Sequence, residues 1–88
     1  MGLNMLYNRG NQAYKNGNLS VAEDCYTQGV SCASKVEVSQ RCRRALMLCY
    51  SNRAATRMSL GRMRDAVEDC MLAAEIDPSF LRARLRAA

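Results

Sequence analysis

Sliding the chain against itself by 44 residues brings small residues onto small ones and bulky apolar residues mostly onto bulky apolar ones. Gly10 falls on Ala54, Gly17 on Gly61, Leu19 on Met63, Ala22 on Ala66, Tyr26 on Cys70, Gly29 on Ala73 and Val30 on Ala74. In each copy a small residue is followed by a turn glycine, an alanine, an apolar residue and a second small residue. That order describes a helical hairpin, and the chain contains it twice. Glycine suits the left-handed position that ends a helix, and Asn16-Gly17-Asn18 and Leu60-Gly61-Arg62 each place one where a first helix should stop. The second helices should open on Ser20-x-x-Glu23 and Asp65-x-x-Glu68, read as N-terminal capping signals. Small residues at matched sites let two backbones approach, so Gly10 is expected to face Ala22 and Ala54 to face Ala66.

Composition agrees with helices. Ala, Leu, Met and Cys dominate an apolar content of 49%, aromatics are 6%, and there is one proline. This balance favours an all-α chain over a sheet. The periodicity predicts helices at about 3–16, 20–33, 38–60, 63–76 and 79–88, the last introduced by Asp77-Pro78 as N-cap residue and first helical residue. With 88 residues the chain buries only about 60–65% of its unfolded surface, so its core should be shallow and spread along its length. No apolar run approaches the roughly 18 residues of a membrane span, and MGLNMLYNRG lacks the regions of a secretory signal. A soluble cytoplasmic or nuclear location is expected.

The five cysteines, Cys25, Cys32, Cys42, Cys49 and Cys70, form no C-x-x-C, and the chain has no histidine. They read as small buried hydrophobes of a reducing compartment, with no metal site and no cofactor implied. Without histidine, a Ser-His-Asp triad and a histidine-activated cysteine are both excluded. The pairs Glu23-Asp24 and Glu68-Asp69 point apart on a helix and read as a solvated face, so no enzyme is expected.

RGNQAYKNGNLSVAEDCYTQG and CYSNRAATRMSLGRMRDAVEDCMLAAEIDP resemble two tetratricopeptide repeats, whose unit is a helix–turn–helix of 34 residues. The second copy fits better: Tyr50, Ala54, Gly61, Ala66, Ala73 and Pro78 fall on the large, small, turn, small, small and proline positions. The first departs, with Gly29 where alanine is usual and Ser34 where proline is usual. The resemblance implies antiparallel hairpins of a repeat superhelix, with repeat 1 at about 3–36, repeat 2 at about 47–80 and a truncated fifth helix, a partial third repeat or cap, at 79–88. The extra residues lie at about 35–46. Val38, Cys42, Ala45, Leu46 and Cys49 keep helical spacing there, so they should extend the third helix. Ala88 falls where Ala54 does one repeat earlier, which reads as a piece of a longer array.

In tetratricopeptide co-chaperones the concave face clamps the acidic C-terminus of a heat-shock chaperone. The resemblance places the clamp asparagines at Asn11 and Asn52 and the basic pair of the fifth helix at Arg82 and Arg86. The first lysine site falls on Tyr7, a phenol that donates one hydrogen bond and carries no charge at neutral pH. Tyr14, Lys15 and Met58 are candidate neighbours on the same face. The stretches YKNGNLS and CYSNRAATRMSLGRM and the cysteine-rich insertion most resemble plant tetratricopeptide proteins that carry a J domain elsewhere. The His-Pro-Asp signature of that domain requires a histidine, so it is not in this chain.

Two other readings follow from the residues. The net charge is +5, and Arg41, Arg43, Arg44, Arg53, Arg57, Arg62 and Arg64 fall in a stretch without an acid. Such a surface can bind nucleic acid or anionic membrane, although no aromatics are interleaved for stacking. Alternatively the repeats have no ligand of their own and pack on further repeats, or self-associate through an apolar C-terminal face that includes Val67, Met71 and Ala74.

Overall fold

The computed structural model describes residues 2–34 and 40–79, and among them every regular element is helical. The helices are α1 (Leu3–Lys15), α2 (Leu19–Ser34), α3 (Gln40–Ser59) and α4 (Met63–Ile76). Helices α1 and α2 form one antiparallel hairpin and α3 and α4 a second, while α2 and, over a smaller area, α1 pack on α3. The all-α, twice-repeated hairpin expected from the 44-residue register is the fold observed.

The two turns explain why the register is so clear. Gly17 and Gly61 have φ of +79° and +82°, a region closed to most side chains. In the first turn the Gly17 N–H donates to the Tyr14 carbonyl (3.0 Å) and the Asn18 N–H to the Ala13 carbonyl (2.8 Å). In the second, Gly61 donates to Met58 (3.1 Å) and Arg62 to Arg57 (2.8 Å). Both are Schellman turns, in which a left-handed residue lets the chain cap the last carbonyls of one helix.

The turns are so tight that the following helices start before the expected caps. The Ala22 N–H already donates to the Asn18 carbonyl and the Ala66 N–H to the Arg62 carbonyl, each at 3.0 Å. Ser20 and Asp65 therefore lie inside the first turn, and Arg62, the N-cap residue of α4, makes no side-chain capping bond. Asp77 does act as expected: its Oδ1 accepts from the Ser79 N–H at 3.1 Å, and Pro78 and Ser79 are helical. The remainder of the expected fifth helix, from residue 80, lies outside the described residues.

The insertion extends α3 toward its N-terminus, giving it 20 residues against 13 in α1. Residues 38 and 39, where this helix was expected to start, lie outside the described residues. Along α3 the buried positions are Ala45, Met47, Cys49, Ser51, Arg53, Ala54 and Thr56. They surround the helix because α1 and α2 pack against it as well as α4. The core cluster joins Leu3, Ala13, Ala22, Tyr26, Ala45 and Cys49, with Tyr7, Val30 and Leu46 packed at its edge.

The close approach at Gly10 admits a bulky ring. A Cβ there would come 2.5 Å from Cε1 of Tyr26, so the missing side chain makes room for that ring. Gly29, unusual for its repeat position, sits where three helices meet. A Cβ on it would lie 3.2 Å from Leu3 Cδ1 and 3.3 Å from Cys49 Sγ.

Candidate functional site

The contact between α1 and α3 brings together two asparagines 41 residues apart. Nδ2 of Asn52 donates to Oδ1 of Asn11 at 2.9 Å, and the Tyr26 hydroxyl, from α2, donates to the same oxygen at 2.5 Å. These two bonds fill the acceptor capacity of Asn11 and fix its amide, leaving its Nδ2 hydrogens as donors. The site is therefore rich in donors and suits an acceptor such as a carboxylate.

The asparagines line a cleft of about 370 Å³ with Tyr14, Lys15, Tyr26 and Ala55. Tyr26 is almost fully buried. Burial pushes its phenol up to about 12, against the hydrogen bond with Asn52, so it stays a neutral donor at physiological pH. Sequence reasoning missed Tyr26 as a site residue. The residue that Gly10 accommodates is also the one that orients Asn11, and no short motif encodes that relation.

The structure brings together only part of the expected site. Asn11, Asn52, Tyr14 and Lys15 share the cleft. Tyr7 lies at the edge of the core, its ring 6.4 Å from that of Tyr26 and tilted by 45°, and it is not among the lining residues. Met58 is exposed and also outside the lining. Arg82 and Arg86 lie outside the described residues.

The acidic residues overturn an expectation. Asp69 is only 1% exposed, and its carboxylate accepts from Nε (2.8 Å) and Nη2 (2.6 Å) of Arg53 and from Nη1 of Arg57 (2.9 Å). Glu23, also mostly buried, accepts from Arg57 Nε at 2.9 Å and from Arg62 Nη1 at 2.7 and 2.9 Å. Only one member of each adjacent acidic pair can face α3, and that member is buried by arginines. Glu68 and Asp24 are exposed as expected. Arg53 also donates to Thr27 Oγ1 at 3.3 Å and lies over the Tyr50 ring at 5.6 Å.

The titration of these groups follows the contacts. The hydrogen bond from Arg57, working against burial, holds the Glu23 carboxyl below the usual range, with Arg62 adding to the effect. Burial disfavours charged Arg57, but the bond to Glu23 and the field of Asp69 outweigh it and raise its pKa. Arg53, Arg57 and Arg62 are therefore engaged in ion pairs, which reduces the basic surface read from sequence. Arg43, Arg44 and Arg64 remain exposed.

Cys49 is fully buried, Cys25, Cys32 and Cys70 are intermediate, and none of the four is in a disulfide. The side chain of Cys42 lies outside the described residues. Burial pushes the Cys49 thiol up to about 12. Among the described residues no group of three or more acidic or cysteine side chains is gathered to hold a metal, and no helix is long and apolar enough to cross a membrane.

Two like hairpins with matching glycine turns and a cleft between their first helices are the arrangement of tetratricopeptide repeats, the family that the sequence resembles. The chain is 34% identical over 79 residues to the DnaJ homolog subfamily C member 7 homolog of Dictyostelium discoideum, a match covering 90% of this chain and 14% of that protein. Human mitochondrial import receptor subunit TOM70 is 33% identical over 82 residues, covering 92% and 12%. Zebrafish sperm-associated antigen 1A is 36% identical over 83 residues, covering 94% and 19%. The chain thus spans less than a fifth of the length of each relative. No family profile and no solved structure matches it.

Proposed function

We propose that this chain is a non-enzymatic protein-docking module whose cleft takes the free C-terminal carboxylate of an acidic peptide, of the kind that ends a heat-shock chaperone. The observation that carries this reading is the amide pair, Asn52 Nδ2 on Asn11 Oδ1 at 2.9 Å. The remaining hydrogens of Asn11 share a cleft with Lys15, and among the described residues no acid lines it. Among the relatives, one is a DnaJ homologue and another an import receptor subunit. Those names support docking of a partner, in a co-chaperone or a receptor, over catalysis.

The test is titration of an acidic peptide with its C-terminus free and then amidated. The free acid binds and the amide does not; equal affinity for the two refutes the reading. Asn52→Ala, which releases the Asn11 amide, weakens the free acid by up to about 1.5–3 kcal/mol, the range for a lost hydrogen bond to a charged group, with helical content unchanged.

One observation favours a second reading, packing on further repeats or on another copy with no ligand. Met63, Val67 and Met71, spaced by four along α4, are each more than half exposed. Repeat arrays bury such faces by stacking neighbours. Sedimentation over a hundredfold range of concentration tests it, with self-association lost in Val67→Glu as the supporting outcome and a strictly monomeric parent chain as the refuting one.

A further inference from the structure

Tyr7, Asn11 and Lys15 are four residues apart in turn, so they share one stripe of α1. Along that stripe the chemistry changes from a phenol packed at the edge of the core, through an amide fixed by two hydrogen bonds, to an exposed ammonium. Only the last carries charge. We propose that Lys15 is the charge-bearing and specificity-determining residue of the cleft: its ammonium pairs with the ligand carboxylate that the Asn11 amide, held in place by Asn52, hydrogen-bonds. The inference rests on the docking function proposed above.

Three observations carry it. Lys15 is the one charged side chain among the six that line the cleft, the others being Asn11, Tyr14, Tyr26, Asn52 and Ala55. Among the described residues no carboxylate pairs with Lys15, and the nearby helix carbonyls of Gln12, Ala13 and Tyr14 already accept from the N–H groups of Asn16, Asn18 and Gly17. Its ammonium is therefore uncommitted. Finally, Tyr26 stays protonated, so among the described residues none that lines the cleft is an anion that would repel a carboxylate.

The position of the charge has a consequence for the ligand. At 1.5 Å of rise per residue, Lys15 stands about 6 Å beyond Asn11 along α1, on the side away from Tyr7. The bound carboxylate sits on the Lys15 side of the amide pair, toward Tyr14 and Ala55, and the residues before it run back along α1 toward Tyr7. A cation placed at position 7 would draw it the other way.

Fluorescence anisotropy of a fluorescein-labelled acidic octapeptide ending in aspartate, with free and amidated C-termini, tests this on the whole chain and on Lys15→Gln, Arg64→Gln and Asn52→Ala. Because Lys15 is exposed, its pair with the ligand is worth little more than a surface ion pair. Lys15→Gln should weaken the free acid by about fivefold without altering the circular dichroism. Arg64→Gln, which removes the same charge from exposed α4, should change affinity by less than about twofold. If Lys15→Gln and Arg64→Gln behave alike while Asn52→Ala still weakens the free acid, the role of Lys15 is overturned and docking stands. If the free acid and the amide bind equally, or neither binds, both proposals fall.

Discussion

Replacing Asp69 by asparagine should be among the most damaging isosteric changes in this molecule. The wild-type carboxylate is 1% exposed and accepts three guanidinium bonds of 2.6–2.9 Å, two from Arg53 and one from Arg57. Asparagine keeps one acceptor and turns an N–H₂ toward guanidinium donors, leaving positive charge uncompensated where water is scarce. Hydrogen bonds to charged groups contribute about 1.5–3 kcal/mol each, and removing one partner of a buried pair costs about 3–5 kcal/mol. We expect a loss of about 3–4 kcal/mol. A chain of this length has a total stability of roughly 4–13 kcal/mol, so the loss is a large fraction of it. In urea, with a slope of about 1–2 kcal/mol per molar, the midpoint should fall by about 2 M. Helical circular dichroism during urea unfolding measures this. Arg57→Gln, which leaves the Arg53–Asp69 pair in place, should cost about half as much and provides a reading if Asp69→Asn does not fold. A midpoint for Asp69→Asn within about 0.5 M of the parent, at unchanged slope, would show that the network contributes no more than exposed ion pairs do.

Other expectations can be measured on the same material. Gly10→Ala gains helix propensity of about 1 kcal/mol but drives a methyl into the Tyr26 ring, an overpacking cost of about 1–3 kcal/mol, so the melting temperature should fall by roughly 5–10 °C. Because the folded pKa of Glu23 is depressed, its contribution is present above the unfolded value of about 4.3 and is lost as pH falls through and below it. Glu23→Gln should therefore flatten the acid limb of a stability-versus-pH curve. Cys49 and Tyr26 are raised to about 12, so the stability they contribute is full below their unfolded values and is lost as pH rises toward 12. At neutral pH iodoacetamide should modify Cys25, Cys32 and Cys70 well before Cys49, and mass mapping of the alkylated peptides would show any inversion of that order.

Glycine and small-residue spacing made the hairpins legible, because a positive φ and a close backbone approach each admit few residues. Helix starts were less legible: the Schellman turns reconnect so quickly that Ser20 and Asp65, credible caps in isolation, fall inside their helices. The burial of Asp69 depends on arginines at positions 53 and 57, which reach it only because α3 and α4 are antiparallel. Nothing in Glu68-Asp69 tells which acid turns inward. The meeting of Asn11 and Asn52 came from the repeat resemblance, since neither local pattern specifies the other. Tyr26 was read as an apolar repeat position, and its hydroxyl acquires a partner only once α1 lies across it at Gly10.

The chain of contacts from Asp69 on α4 through Arg53 and Arg57 on α3 to Glu23 on α2, closed by Arg62 from the second turn, also acts mechanically. It spans the joint between the hairpins on charged side chains, so the angle at which the second hairpin stands on the first is held by directional bonds and not by apolar contact alone, which tolerates sliding. The two walls of the cleft belong to different hairpins, and their separation is fixed before any ligand arrives. The docking proposed for the cleft then requires little rearrangement of its walls, and the angle between the two hairpins becomes sensitive to acid at this joint.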